Sequence, residues 1–309
     1  MNEAERPTGR QYEIAHGAVR ATVVEVGGGL RSLVVGDREL LDGYAAHELC
    51  PGGRGQLLMP WPNRLDGGRY EWDGQTHQAA LSEPEHANAI HGLVRFAGWS
   101  CVADEPGRVE MAHRLWPSPD YPFTLDLQIG YALDGGGLTV RTSATNVGAD
   151  AAPFGSGQHP YLRPPSGETV DGCTLTIPAR SYLPTDDRGL PTGVEPVDGT
   201  AFDFRRGRPI GGGVLDLGFT DLVRDADGRA WVELTAPDAE PVALWVDESY
   251  RYLQVYTGDT LPDVGRRRRG LAVEPMTCPP NALATGTDLW RIEPGEKRTA
   301  TWGLVIGDR

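Results

Sequence analysis

The stretch LQIGYALDGGGLTVRTSATNVG, residues 127–148, decides the fold class. Apolar and polar residues alternate on both sides of an Asp134–Gly135 turn signal. That pattern predicts one strand over 125–133, a tight turn, and a second strand over 137–144. The same reading extends outward to segments 21–26, 68–72, 230–234, 242–246 and 252–256. Each is short, rich in Val, Leu, Tyr and Trp, and bounded by Gly, Pro, Asp or Asn. Asp73–Gly74 and Asp227–Gly228 are further expected hairpin turns. No long helical pattern alternates with the strands, so a βαβ sheet is disfavoured. No period of 20–50 residues points to a solenoid or propeller. The expectation is one all-β domain over 1–309, with few short helices and a loose tail over 1–11. Two packed sheets would be wide enough to form a concave face.

Composition agrees. The 309 residues include 41 Gly and 25 Pro, about a fifth of the chain, spread throughout. Pro lacks a donor and Gly loses extra backbone entropy, so long helices and coiled coils are excluded. Lys297 is the single lysine. Schiff-base chemistry and P-loop nucleotide binding, which use a lysine, are therefore disfavoured. The formal net charge of −14 disfavours nucleic acid and anionic membranes as partners. No run approaches a membrane span, and the N-terminal stretch has no apolar signal core. Cys50, Cys101, Cys173 and Cys278 match no metal or redox spacing. Free thiols and a cytoplasmic location are expected.

Four segments carry chemistry. In MPWPNRLDGGRY, 59–70, Arg64 follows a rigid Pro-Trp-Pro and Asn63. It either contacts a ligand or pairs with a core carboxylate. In NAIHGLVRFAGW, 88–99, His91 lies in an apolar run. A lone His there is more often a satisfied core residue than a catalyst. In FGSGQHPYL, 154–162, His159 precedes Pro160, which favours extended backbone at the His. In GLAVEPMTCPPNAL, 270–283, Glu274 ends an apolar run. A buried carboxylate is costly unless paired or working, and burial suits it to general-base duty. No H-x-H or H-E-x-x-H spacing supports a metal. The run Arg266–Arg269 reads as a solvated loop face.

Taken together, the four segments resemble the aldose 1-epimerase (galactose mutarotase) family, in order and spacing, from about residue 12 to 306. The N-terminal GGGLRSLVVGDRELLDGY, 27–44, belongs to the resemblance. It implies a large antiparallel β-sandwich, the galactose mutarotase-like supersandwich. It also implies reversible exchange of α and β anomers of a free hexose such as glucose or galactose, with no cofactor and no metal. By position, Glu274 corresponds to the general base and His159 to the general acid. Arg64 and His91 correspond to sugar-binding residues, with Asn63 beside them. Tyr256 corresponds to an aromatic wall. For the sugar-binding aspartate the family pattern selects Asp216, three residues before Phe219. Leu217 departs from the common His or Thr, which leaves Asp221 open. The implied partner is a small monosaccharide, for a monomer or homodimer. A mutarotase for a phosphorylated or sulfonated hexose, suggested by Arg64, Arg95 and the arginine run, is the alternative. A non-catalytic sugar binder on the same fold is another.

Overall fold

The computed structural model describes residues 6–165 and 169–305. Strands dominate, and the helical segments are short: Ala282–Thr285 and the 3-10 turns Pro84–His86, Val170–Gly172 and Val264–Arg266. The deciding hairpin forms as Leu125–Asp134 and Gly137–Asn146, with Asp134 opposite Gly137. Its alternation is physical. Leu125, Leu127, Ile129, Tyr131 and Leu133 point into the core while their neighbours are partly or fully exposed. This hairpin is the centre of a nine-stranded antiparallel sheet. Ser100–Glu105 and Arg108–Leu115 extend it on one side, and Lys297–Val305, Val242–Val246 and Ala230–Thr235 on the other.

An eight-stranded sheet carries Ala179–Leu183, Asp216–Leu222, Tyr252–Tyr256, Leu271–Met276, Gly157–Gln158 and Leu57–Leu58 in that spatial order, and Tyr161–Leu162 also pairs with Leu271–Met276. One continuous apolar cluster joins the two sheets. A fully bonded polar bridge crosses that core: Gln158 donates to the Tyr131 hydroxyl at 3.0 Å and accepts from the Trp302 indole at 3.0 Å. Buried amides are tolerated when so satisfied. Gln11–His16, Val19–Val24, Leu30–Val35 and Arg38–Glu39 form a smaller antiparallel sheet.

Asp73–Gly74 is a hairpin turn between Arg69–Trp72 and Gln75–Gln78, with both turn residues at positive φ, 47° and 78°. Asp227–Gly228 is not. It lies between Asp216–Leu222 in one sheet and Ala230–Thr235 in the other. The Asp225 side chain accepts from the backbone N–H groups of Asp227 and Arg229, each at 2.9 Å, and so shapes a turn that crosses between sheets. Of the expected N-terminal tail, residues 1–5 lie outside the described residues. Within the remainder, Thr8 is buried and its carbonyl accepts from Val26 N–H at 3.0 Å. No helix among the described residues is long and apolar enough to cross a membrane.

Candidate active site

Sheet register assembles the site. Leu271–Met276 is buried along its whole length, and Glu274 is its midpoint carboxylate. Gly157 pairs with Met276 and Tyr161 with Ala272, so His159 lies directly opposite Glu274. On the other side Glu274 pairs with Gln254, and Gln254 with Gly218. Two residues along, a parallel row runs Tyr161, Ala272, Tyr256, Asp216. Residues two apart on a strand share a face. The two rows therefore bring His159, Glu274, Tyr161, Tyr256 and Asp216 to one side of the sheet.

That side opens into a cavity of about 330 Å³, within the size class of small-molecule sites. His159, Glu274, Asp216 and Tyr256 line it, and loops add Arg64, His91 and Asn63. All seven residues singled out in the sequence thus share one space. Asp221 does not reach it: this residue is exposed and accepts a hydrogen bond from Ser181 at 2.6 Å. Asp216 instead accepts from Gln254 Nε2 at 2.7 Å.

His159 Nε2 stands 3.3 Å from Glu274 Oε1, with both side chains almost fully enclosed. Burial, reinforced by the Asp216 charge, raises the Glu274 carboxyl well above its ordinary range. Burial, reinforced by the Arg54 and Arg95 charges, lowers His159 to about 3. Both shifts disfavour charge, so burial favours the uncharged pair, a carboxyl proton beside a neutral imidazole, over the ion pair. Moving that proton across the contact generates a carboxylate beside an imidazolium without changing the count. A pair of this kind can accept one proton and deliver another in the same event.

His91 is also neutral, its pKa lowered well below 6.5 by burial first and then by nearby positive groups, Arg95 foremost. Its Nδ1 accepts from Asn63 N–H at 3.2 Å, which leaves the proton on Nε2 as a donor. Both residues have positive φ, 64° for His91 and 57° for Asn63, in a close approach of two loops. Gly92 follows at φ 67°. A Cβ there would fall 2.0 Å from the Met59 carbonyl oxygen, so only glycine fits. Arg64 lines the cavity and forms a bidentate pair with the half-buried Glu83, at 2.8 and 3.0 Å. The Tyr256 hydroxyl bonds Thr260 at 2.8 Å.

The run Arg266–Arg269 is not a solvated face. Arg266 bonds Glu48, Arg268 bonds Asp259 and Asp171, Arg269 bonds Asp42, and Arg267 donates to the Leu261 carbonyl. Acceptors on several different segments disperse the like charges. Sequence reading also missed Gln254, buried on a strand that is otherwise apolar or aromatic, two residues from Tyr256. Period-two spacing is the signal that marks it. Among the described residues, no cluster of three or more His, Cys, Asp or Glu could hold a metal ion.

The profile of the aldose 1-epimerase family matches residues 10–304. The chain is 34% identical to the uncharacterised protein YihR of Escherichia coli K12 over 291 residues, 94% of this chain and 91% of that one. It is 28% identical to galactose mutarotase of Homo sapiens over 229 residues, 68% and 64% of the respective chains. The solved GalM/aldose epimerase homologue from C. elegans superposes with a TM-score of 0.85 at 18% identity, covering 96% of this chain and 98% of that one. The profile match over almost the whole chain, and the fold beneath it, place this protein in the aldose 1-epimerase family.

Proposed function

We propose that the protein interconverts the α and β anomers of a free hexose such as glucose or galactose by acid–base ring opening and closure. The single observation that carries this reading is the enclosed His159–Glu274 contact, 3.3 Å long, facing the cavity. Glu274, as carboxylate, takes the proton of the C1 hydroxyl. His159, as imidazolium, gives its proton to the ring oxygen as the bond from C1 to that oxygen breaks. The open-chain aldehyde rotates about C1–C2, and the reverse transfers close the ring on the other face. The two oxygens share the anomeric carbon, so the groups that serve them must be close neighbours, as this pair is. His91 offers a donor, Asp216 an acceptor, and Arg64, held by Glu83, its remaining guanidinium N–H groups to the hydroxyls. Asn63 orients His91, and Tyr256 forms a wall. The four free cysteines fit a reducing, cytoplasmic setting.

One observation favours a second reading, a hexose bearing phosphate or sulfonate. Arg95 lines the cavity, its side chain donates to the Ile90 carbonyl at 3.4 Å and lies over the Phe96 ring at 5.6 Å, and no carboxylate among the described residues pairs with it. Polarimetry of fresh α-D-glucose and α-D-galactose tests both. Equilibration should accelerate with the protein and return to the uncatalysed rate with Glu274→Gln. No acceleration of either sugar, with anomer exchange of a 6-phosphate or 6-sulfonate sugar, would select the second reading. Full activity of Glu274→Gln would sink the base assignment.

A further inference from the structure

A working imidazole is ordinarily oriented by a third group bonded to its second nitrogen. His159 lacks that support. Its Nδ1 is buried and meets no hydrogen-bond partner on another residue, while Glu274 engages only Nε2. Other contacts must fix the ring. Tyr161 stacks on it with centroids 4.9 Å apart and planes 10° from parallel. The Arg54 guanidinium lies over the Tyr161 ring at 4.3 Å. Arg54 is itself held by Asp42, whose Oδ2 accepts from Nε at 3.2 Å and Nη2 at 2.9 Å. Both side chains are closed to solvent, 2% and 0% exposed. Asp42 also donates its backbone N–H to the Tyr161 carbonyl at 2.8 Å, and the Tyr161 hydroxyl donates to the Gly52 carbonyl at 2.9 Å. Gly53 closes on the ring so tightly that a Cβ there would lie 3.0 Å from His159 Cδ2. Gly270 packs as closely against Asp42 and Tyr161.

We infer that Arg54 and Tyr161, anchored by Asp42, are positioning residues for His159: a cation–tyrosine–imidazole column fixes the ring by packing, where a hydrogen-bonded carboxylate would otherwise do so. The inference rests on the acid–base reading of the His159–Glu274 pair. The two kinds of support differ in consequence. A carboxylate at Nδ1 would stabilise an imidazolium, whereas the charge of Arg54 destabilises it. The imidazolium formed beside this column is therefore a strong acid, suited to the weakly basic ring oxygen of a hemiacetal. The other groups that face the pair are Arg95, His91 and the Cys50 thiol on the His159 side, with Arg64 and Asp216 on the Glu274 side. Arg54 acts with Arg95 and against Glu274.

The test uses Arg54→Gln, Tyr161→Phe and Tyr161→Leu in the full chain. Arg54→Gln leaves Asp42 with Arg163 at 3.3 Å and Arg269 at 2.9 Å, so no unpaired buried charge remains. Expected for Arg54→Gln is a kcat loss on the order of tenfold or more from misorientation, with KM little changed. Its bell-shaped rate profile should move to higher pH, because removing a cation makes both protonations of the pair easier. Nitrogen-15 NMR should show His159 titrating at higher pH than in the wild type. Tyr161→Phe keeps the ring stack but loses the Gly52 anchor, so its kcat loss should be smaller than that of Tyr161→Leu. Tyr161→Leu should lose kcat without a comparable movement of the profile. A purely structural role would lower the melting temperature but leave kcat per folded molecule and the profile unchanged, and that result overturns the inference. An unchanged His159 titration in Arg54→Gln overturns it as well. Should the wild type accelerate no aldose, the proposed function fails, and the NMR titration still decides the column.

Discussion

Replacing Glu274 with Gln should expose a hidden pH dependence of stability. In the folded wild type the pair carries one proton, because Glu274 is raised well above 4.5 and His159 is lowered from 6.5 to about 3. In the unfolded chain the carboxyl ionises near 4.5 and the imidazole near 6.5. Between those values the unfolded chain also carries one proton, on the imidazole. Equal proton counts give no slope. Glu274→Gln removes the carboxyl from both states. Below 6.5 the unfolded variant still takes up a proton, while the folded variant refuses it until about 3. Its stability is therefore full above pH 6.5 and falls as the pH drops, by about 1.4 kcal/mol per pH unit. Between pH 6.5 and 4.5 the variant should lose about 3 kcal/mol relative to the wild type. His159→Gln should show the opposite sign. Its folded state keeps a carboxyl proton that the unfolded chain gives up above 4.5, so relative stability falls as pH rises. Urea unfolding of the three proteins at constant ionic strength, in small pH steps, reads this directly. Referencing each ΔG to the wild type cancels the other carboxylates. Parallel curves for wild type and Glu274→Gln across the window would refute the reasoning, since Glu274 would then titrate inside the fold as it does in the unfolded chain.

Two further outcomes follow from named contacts. Asp42→Ala removes the shared acceptor of Arg54, Arg163 and Arg269 and leaves a buried guanidinium unpaired; urea unfolding should show a loss of about 3–5 kcal/mol. Glu83→Ala frees the Arg64 fork from its bidentate partner at the cavity wall, so initial-rate polarimetry should show KM raised by about tenfold with kcat nearly unchanged, a loss of about 1.4 kcal/mol of binding.

What was legible in the sequence was whatever local pattern determines. The 125–146 hairpin announced itself because side-chain alternation and a Gly-rich turn are local facts. Asp227–Gly228 misled because a turn signal marks a reversal without saying which sheet receives the next strand. Glu274 stood out as a carboxylate ending an apolar run, and His159 as the residue before Pro160. Their direct opposition depends on the register between residues more than a hundred positions apart, which no local pattern encodes. Arg54 sits in a bare Gly-Gly-Arg-Gly loop. Its relation to His159 runs through Tyr161, on a distant strand, and through Asp42, twelve residues earlier on its own segment.

The arginine run explains how so remote an arrangement is held. The segment carrying Asp42, Glu48 and Arg54 runs from the small N-terminal sheet to the Leu57–Leu58 strand of the eight-stranded sheet. Arg266 grips this segment through Glu48 and the Gly43 carbonyl, and Arg269 grips it through Asp42. Arg268 reaches Asp259, Asp171 and the carbonyls of Gly211 and Gly213, tying in the loops on the other side. Each contact set uses the planar fork with its several fixed donors. A lysine ammonium, a compact point charge, cannot address such separated acceptors in one geometry. The loop closing on the strand of Glu274 is thus a clamp on the support of His159. The two partners of the proton-sharing pair are aligned from the front by sheet register and from behind by this clamp. Loosening the clamp should therefore lower turnover, measured by initial-rate polarimetry, because it leaves the column behind His159 without its outer anchor.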